Sequence, residues 1–206
     1  METLMYLPDF YDQVPPLVLF DPLAAMLGAA HQGLLEYRYA DAVKLAGHSC
    51  PTVAGAWLMA RCALGRLYPD GHPLRGGIRV ELREAQAAGT TGVVGNVMGL
   101  ITGAAGEGGF KGIGGRLGRA GLLYYGVVLP GEVRFTRLDT SQSVTLDYHP
   151  QRVPPDAELP GLMSLVMAGE ADAEMRQRFA SLWQKRVRRI LLEHADDPAL
   201  VEVVNG

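Results

Sequence analysis

Cysteine is almost missing from this chain: among 206 residues only Cys50 and Cys62 occur. Two thiols make no disulfide framework. If residues 50–66 form one helix, they stand ~18 Å apart at the usual rise, too far for a disulfide or a shared metal ion. Long apolar runs are also missing, and none approaches the ~20 residues that span a bilayer. The stretch Met1–Phe20 carries acidic residues with Pro8, Pro15 and Pro16, and lacks the basic head and apolar core of a signal peptide. A formal charge of -3 gives no pull toward nucleic acid or anionic lipid. These absences exclude a nucleic-acid partner and a membrane partner, and make a soluble, cytoplasmic protein the expectation.

What is present suits a sizeable core: 48% hydrophobic and 20% charged residues. Residues 1–20 read as an extended, proline-punctuated arm. Asp21-Pro22 is an N-cap followed by proline at the first helical position, and Leu23, Leu27, Ala30 and Leu34 continue at helical spacing. Tyr39–Ala46 suits a short helix stopped by Gly47, and 51–66 a longer one rich in Ala and Gly. Ile78–Glu84 and Ser143–Tyr148 alternate as half-buried strands. Thr90–Thr102 reads as a tightly packed helix. Leu122–Leu129 and Glu132–Leu138 flank Pro130-Gly131 as a candidate hairpin. After the proline-rich stretch 150–160, helices are expected over Gly161–Gly169 and Asp172–His194. The order predicts an α+β fold, helices on a mixed or antiparallel sheet with a helical C-terminal extension. Its parts are an arm (1–20), a core domain (21–150), and a linker with helical extension (151–206).

The chemistry concentrates at Gly47-His48-Ser49-Cys50-Pro51. Pro51 at the first helical position makes Cys50 the N-cap, where unpaired N–H groups and the helix dipole favour a thiolate. Thiolate and imidazole together are a common ligand pair for zinc and similar ions. Two ligands do not close a site, and a buried cysteine cap beside a hydrogen-bonded histidine is the alternative reading. Cys62, deep in its helix, reads as a small core residue.

The stretch Tyr39–Ala56 resembles the signature of the FmdE-like family, named for a component of formylmethanofuran dehydrogenase: Gly-His-x-Cys-Pro-Gly before a helix with Gly in its second turn. Gly47, His48, Cys50, Pro51 and Gly55 match in place. Ile101-Thr102-Gly103 and Lys111-Gly112 resemble its Thr-Gly-Cys and Gly-Lys-Gly blocks, so the likeness covers residues 22–150. Ala46, Thr52 and Ala104 stand where the family has His, Gly and Cys, and no zinc finger follows, which describes a divergent member. The resemblance implies an α+β core, a homodimer and a metal-binding cleft. Zinc is the expected metal, ahead of iron or nickel, with His48 and Cys50 as ligands.

His31 is the first choice for a third ligand, and a core-edge histidine is its other reading. Lys111 is a candidate catalytic residue beside Cys50. The run Gly103–Gly121 reads either as a flap presenting Glu107, Lys111, Arg116 and Arg119 to a small anionic ligand, or as a tight chain crossing. An enzyme with Lewis-acid or thiolate chemistry would fit. The alternatives are a non-catalytic module holding a porphyrin or a molybdenum or tungsten cofactor precursor, and an accessory component of an oxidoreductase.

Overall fold

The structure, a computed structural model, describes residues 7–204; the first six residues of the expected N-terminal arm lie outside the described residues. Pro22–Leu27 forms α1, Tyr39–Ala46 α2, Pro51–Leu67 α3, Thr91–Thr102 α4, Leu159–Ala168 α5 and Ala173–Arg188 α6. The strands are β1 (Leu17–Phe20), β2 (Leu34–Tyr37), β3 (Ile78–Leu82), β4 (Leu123–Tyr124), β5 (Val133–Arg137), β6 (Ser143–Tyr148) and β7 (Val201–Val204). The fold is α+β with a helical C-terminal region, as the order of elements predicts.

A five-stranded sheet in the order β4-β3-β5-β6-β7 carries the core. Ile78, Val80, Leu82, Val133, Phe135 and Leu146 point from it to one side and are buried, because alternate strand residues share a face. Helix α3 covers this face at β6 and β7, and α4 covers it at β3. Eleven of the seventeen residues of α3 are buried, among them Trp57 and Met59. A helix buried on nearly every side needs small residues where other backbones cross it, which explains its alanines and Gly55.

Four local expectations give way to tertiary structure. The helix expected to run from Pro22 to Leu34 ends at Leu27, because Gly28 takes the left-handed conformation (φ 65°) and closes it. Residues 34–37 instead pair antiparallel with 17–20 of the arm, and Leu27 is exposed. The hairpin expected around Pro130-Gly131 does not form. Residues 123–124 lie parallel to one edge of β3 while β5 pairs antiparallel with its other edge. Pro130 has no N–H to give a ladder, and the chain passes round the end of β3 with Val128 almost fully exposed. The last helix stops at Arg188 and continues as one π-type turn, Arg189–Glu193. Beyond it, β7 pairs with β6 and extends the sheet, a strand absent from the sequence expectation. The proline-rich stretch is anchored: Val153 is fully buried, and Arg186 of α6 donates to the carbonyls of Val153 and Pro150.

Candidate functional site

Gly47 ends α2 in the left-handed conformation (φ 74°), and its N–H returns to Val43 O. The chain then turns at once into α3, with only His48, Ser49 and Cys50 between Gly47 and Pro51. Cys50 is the N-cap of α3: its Sγ accepts the Val53 N–H at 3.5 Å. Cysteine is a weak acceptor beside Ser or Asp, so the choice of sulfur here asks for a reason beyond capping.

His48 is exposed, and its Nδ1 lies 2.9 Å from Ala46 O. A carbonyl only accepts, so Nδ1 is the protonated nitrogen and the lone pair of the neutral ring is on Nε2. A backbone carbonyl behind one ring nitrogen is the usual support of a metal-bound histidine. Nitrogen and sulfur donors of this kind suit zinc.

Around Cys50 the structure builds a shell of aromatic and hydroxyl groups. Ser49, buried, shares a hydrogen bond of 2.9 Å with the Tyr39 hydroxyl. Tyr11, Tyr39 and Trp57 follow one another edge to face, with ring centroids 5.1 and 6.0 Å apart. Tyr148, from β6, donates to Pro51 O at 2.9 Å. Burial pushes Tyr39 and Tyr148 well above the ordinary tyrosine range, against the lowering by Ser49 on the first and by Arg186 on the second. Both therefore stay neutral phenols near the sulfur.

Helix α6 closes the other side. Trp183 Nε1 and Gln184 Nε2 both donate to Ser49 O, at 2.8 and 3.2 Å. Gln184 Oε1 in turn accepts from the Tyr11 hydroxyl. Trp183 was legible in the sequence only as part of the apolar face of its helix. Its indole N–H, like the hydroxyls of Tyr39 and Tyr148, gave no sign of its target, because the partner lies 134 positions away.

The remaining candidates lie apart from this junction or engage locally. His31 is exposed on a short 3-10 turn between α1 and β2. Among the described residues no group of three or more His, Cys, Asp or Glu could hold a metal ion, so the structure does not gather His31 with His48 and Cys50. Lys111 is exposed, and its Nζ donates to Glu107 O within the same loop at 2.8 Å. Arg119, expected on a flap, instead reaches inward: it is buried and donates to Asp21 Oδ1 at 2.7 Å. Gly76 makes room for it, since a Cβ there would overlap the guanidinium. Leu45, three residues before His48, lines a depression of about 380 Å³ with Gln86, Asn96 and Tyr125. The hydroxyl of Tyr125 is buried there without a hydrogen-bond partner among the described residues.

Compared with known proteins, the chain matches no family model, no curated protein and no solved structure.

Proposed function

We propose that the protein binds a divalent transition metal, zinc first, through Cys50 Sγ and His48 Nε2, as a divergent member of the FmdE-like family. The observation that carries this reading is the Nδ1–H···O=C bond of His48, which leaves Nε2 as the ring's lone-pair donor two residues from an N-capping sulfur. A purely structural histidine on an exposed turn has no need of a fixed tautomer, and a purely structural cap is better made by Ser or Asp.

Two protein donors make half a tetrahedral site. The other positions are left to water, to a small-molecule ligand or to donors from a second copy of the chain. The bound metal would supply Lewis acidity, and the residues of this chain fix where it acts. Tyr39 and Tyr148 keep the sulfur among neutral groups, and α6 limits access to it.

The test is elemental analysis of anaerobically purified protein. Cys50→Ser keeps a competent N-cap and so should fold. It is expected to weaken metal binding at least about 100-fold, as is His48→Ala, both exceeding the loss from a supporting residue. Cys62→Ser should retain the metal. Undiminished metal in Cys50→Ser and His48→Ala would remove the proposal.

A further inference from the structure

The face of the large sheet turned away from α3 and α4 carries a basic depression at the end where β5 turns into β6. It is lined by Arg79, Arg134, Thr136, Arg137, Ser141 and Ser143, together with Leu138, and has a volume of about 370 Å³. The register makes it one surface: Arg79 pairs with Thr136, and Thr136 with Ser143, across three adjacent strands. Side chains of paired residues lie on the same side of a sheet.

Two of its arginines are already engaged. Arg134 grips Glu81 with two parallel bonds, Nε to Oε2 and Nη2 to Oε1, each 2.9 Å. Arg137 pairs with Ile78 and so turns its side chain to the α3 side, where it holds Asp139 through Nε and Nη2, gives Nη1 to Leu67 O, and lies over the Tyr68 ring at 4.1 Å. Arg79 is different. Its Nε forms an ion pair with Glu81 Oε2 at 3.3 Å but is misaligned for a hydrogen bond, and that nitrogen is buried with no hydrogen-bond partner among the described residues. No other hydrogen bond from its guanidinium is made among the described residues. Beside it Thr136 is only 7% exposed, and its Oγ1 is buried and also lacks a partner among the described residues. The hydroxyls of Ser141 and Ser143 are exposed and make no side-chain bond among the described residues.

An ordinary polar sheet face leaves its donors to water. Here the Arg79 Nε and the Thr136 hydroxyl lie just beneath the surface of the depression and are unpaired among the described residues, an arrangement that costs stability unless a small side-chain shift admits a partner. Two guanidiniums, Arg79 and Arg134, lie on this face against the single carboxylate of Glu81, leaving one positive charge uncompensated. Arg79, which shares Glu81 with Arg134, is the cation next to the unpaired hydroxyl.

We propose that this depression is an oxyanion site that takes a phosphate group, held by Arg79 with Thr136, Ser143 and Ser141. An arginine with several hydroxyls from two strands and a turn suits a tetrahedral oxyanion. The planar carboxylate on this face already has its place, in the Arg134 fork. The group is either free inorganic phosphate or the phosphate of a small monoester.

The experiment titrates the full-length protein with inorganic phosphate, methyl phosphate and acetate by calorimetry, at constant ionic strength in a buffer without oxyanions. Saturable millimolar or tighter binding of one or both phosphates, with acetate weaker, is expected. Stronger binding of methyl phosphate identifies a monoester as the ligand, and stronger binding of inorganic phosphate identifies the free ion. Arg79→Ala should weaken phosphate about tenfold or more. Thr136→Val should weaken it about threefold, while the unliganded protein stays as stable or becomes more so, because an unpaired buried hydroxyl is removed. No saturable binding of either phosphate would overturn the proposal. So would binding that survives both substitutions, or binding that acetate matches. The outcome is independent of whether His48 and Cys50 hold a metal.

Discussion

Gly55 shows how a single residue ties the candidate site to the sheet. It lies one turn into α3 after Cys50, and a Cβ there would stand 2.5 Å from the Tyr148 ring atoms Cδ1 and Cζ. With no side chain at 55, Tyr148 lies flat on the helix and its hydroxyl reaches Pro51 O, the first carbonyl of α3. The glycine is thus required by a close approach, since its φ needs no left-handed conformation. Gly55→Ala is expected to lose about 2–3 kcal/mol, the scale of overpacking a filled core. Chemical denaturation would measure it. Adding Tyr148→Leu should return part of the loss, since the two residues are in contact and their effects cannot add. A double variant whose loss equals the sum of the two single losses would show that the ring is not the obstacle.

At the scale of elements, α6 is the part whose role the sequence hides most. Its apolar face is plain in Leu182 and Val187 and runs on into Ile190 and Leu191 of the π-type turn, all buried. Periodicity cannot say which surface that face meets, and it meets the α2–α3 junction. The helices α2, α3 and α4 and the strands β3 and β6 were legible because each carries its own signal: a stop glycine, a proline at the first turn, or strict alternation. The parallel pairing of β4 and the strand β7 were not, since each depends on an edge offered by a distant segment, and of α1 the start at Asp21-Pro22 was read but not the end at Gly28. The same division holds at the site. His48 and Cys50 stand in a local motif, whereas Tyr39, Tyr148, Trp183 and Gln184 come together only through the fold. If α6 restricts access to the sulfur, Trp183→Ala should raise the modification rate of Cys50 by a thiol reagent about tenfold. That is the effect of losing one buried hydrogen bond and part of the packing on local opening. The measurement belongs in a Cys62→Ala background, because Cys62 is partly exposed. An unchanged rate would mean that α6 does not guard Cys50.

Across the whole molecule, one buried carboxylate joins segments that no local signal connects. Asp21 caps α1 through Leu23 N and Ala24 N. It also accepts from Arg75 at 2.9 Å and from Arg119 at 2.7 Å. Arg75 passes the connection on, donating to the carbonyls of Leu100 and Ile101 near the end of α4. Arg119 belongs to the glycine-rich run, so Asp21 fixes that run against α1 and α4. Burial by itself would raise the Asp21 carboxyl, but the Ala24 N–H and the two guanidiniums outweigh it and hold the group below the ordinary aspartate range. A carboxylate lowered in the folded state stabilises that state above its unfolded pKa. The contribution is lost as pH falls through the lower, folded value. For Asp21 this window opens near pH ~4 and extends downward. Asp21→Asn keeps the shape but leaves Arg119 buried without its counter-charge, which costs about 3–5 kcal/mol at neutral pH. Urea denaturation between pH 7 and pH ~2 should show the gap between wild type and Asp21→Asn narrowing below pH ~4, as protonation removes the same charge from the wild type. Limited proteolysis of Asp21→Asn at neutral pH should cut first within 103–121. A gap that stays constant with pH would show that the carboxylate's charge is not what binds these segments together.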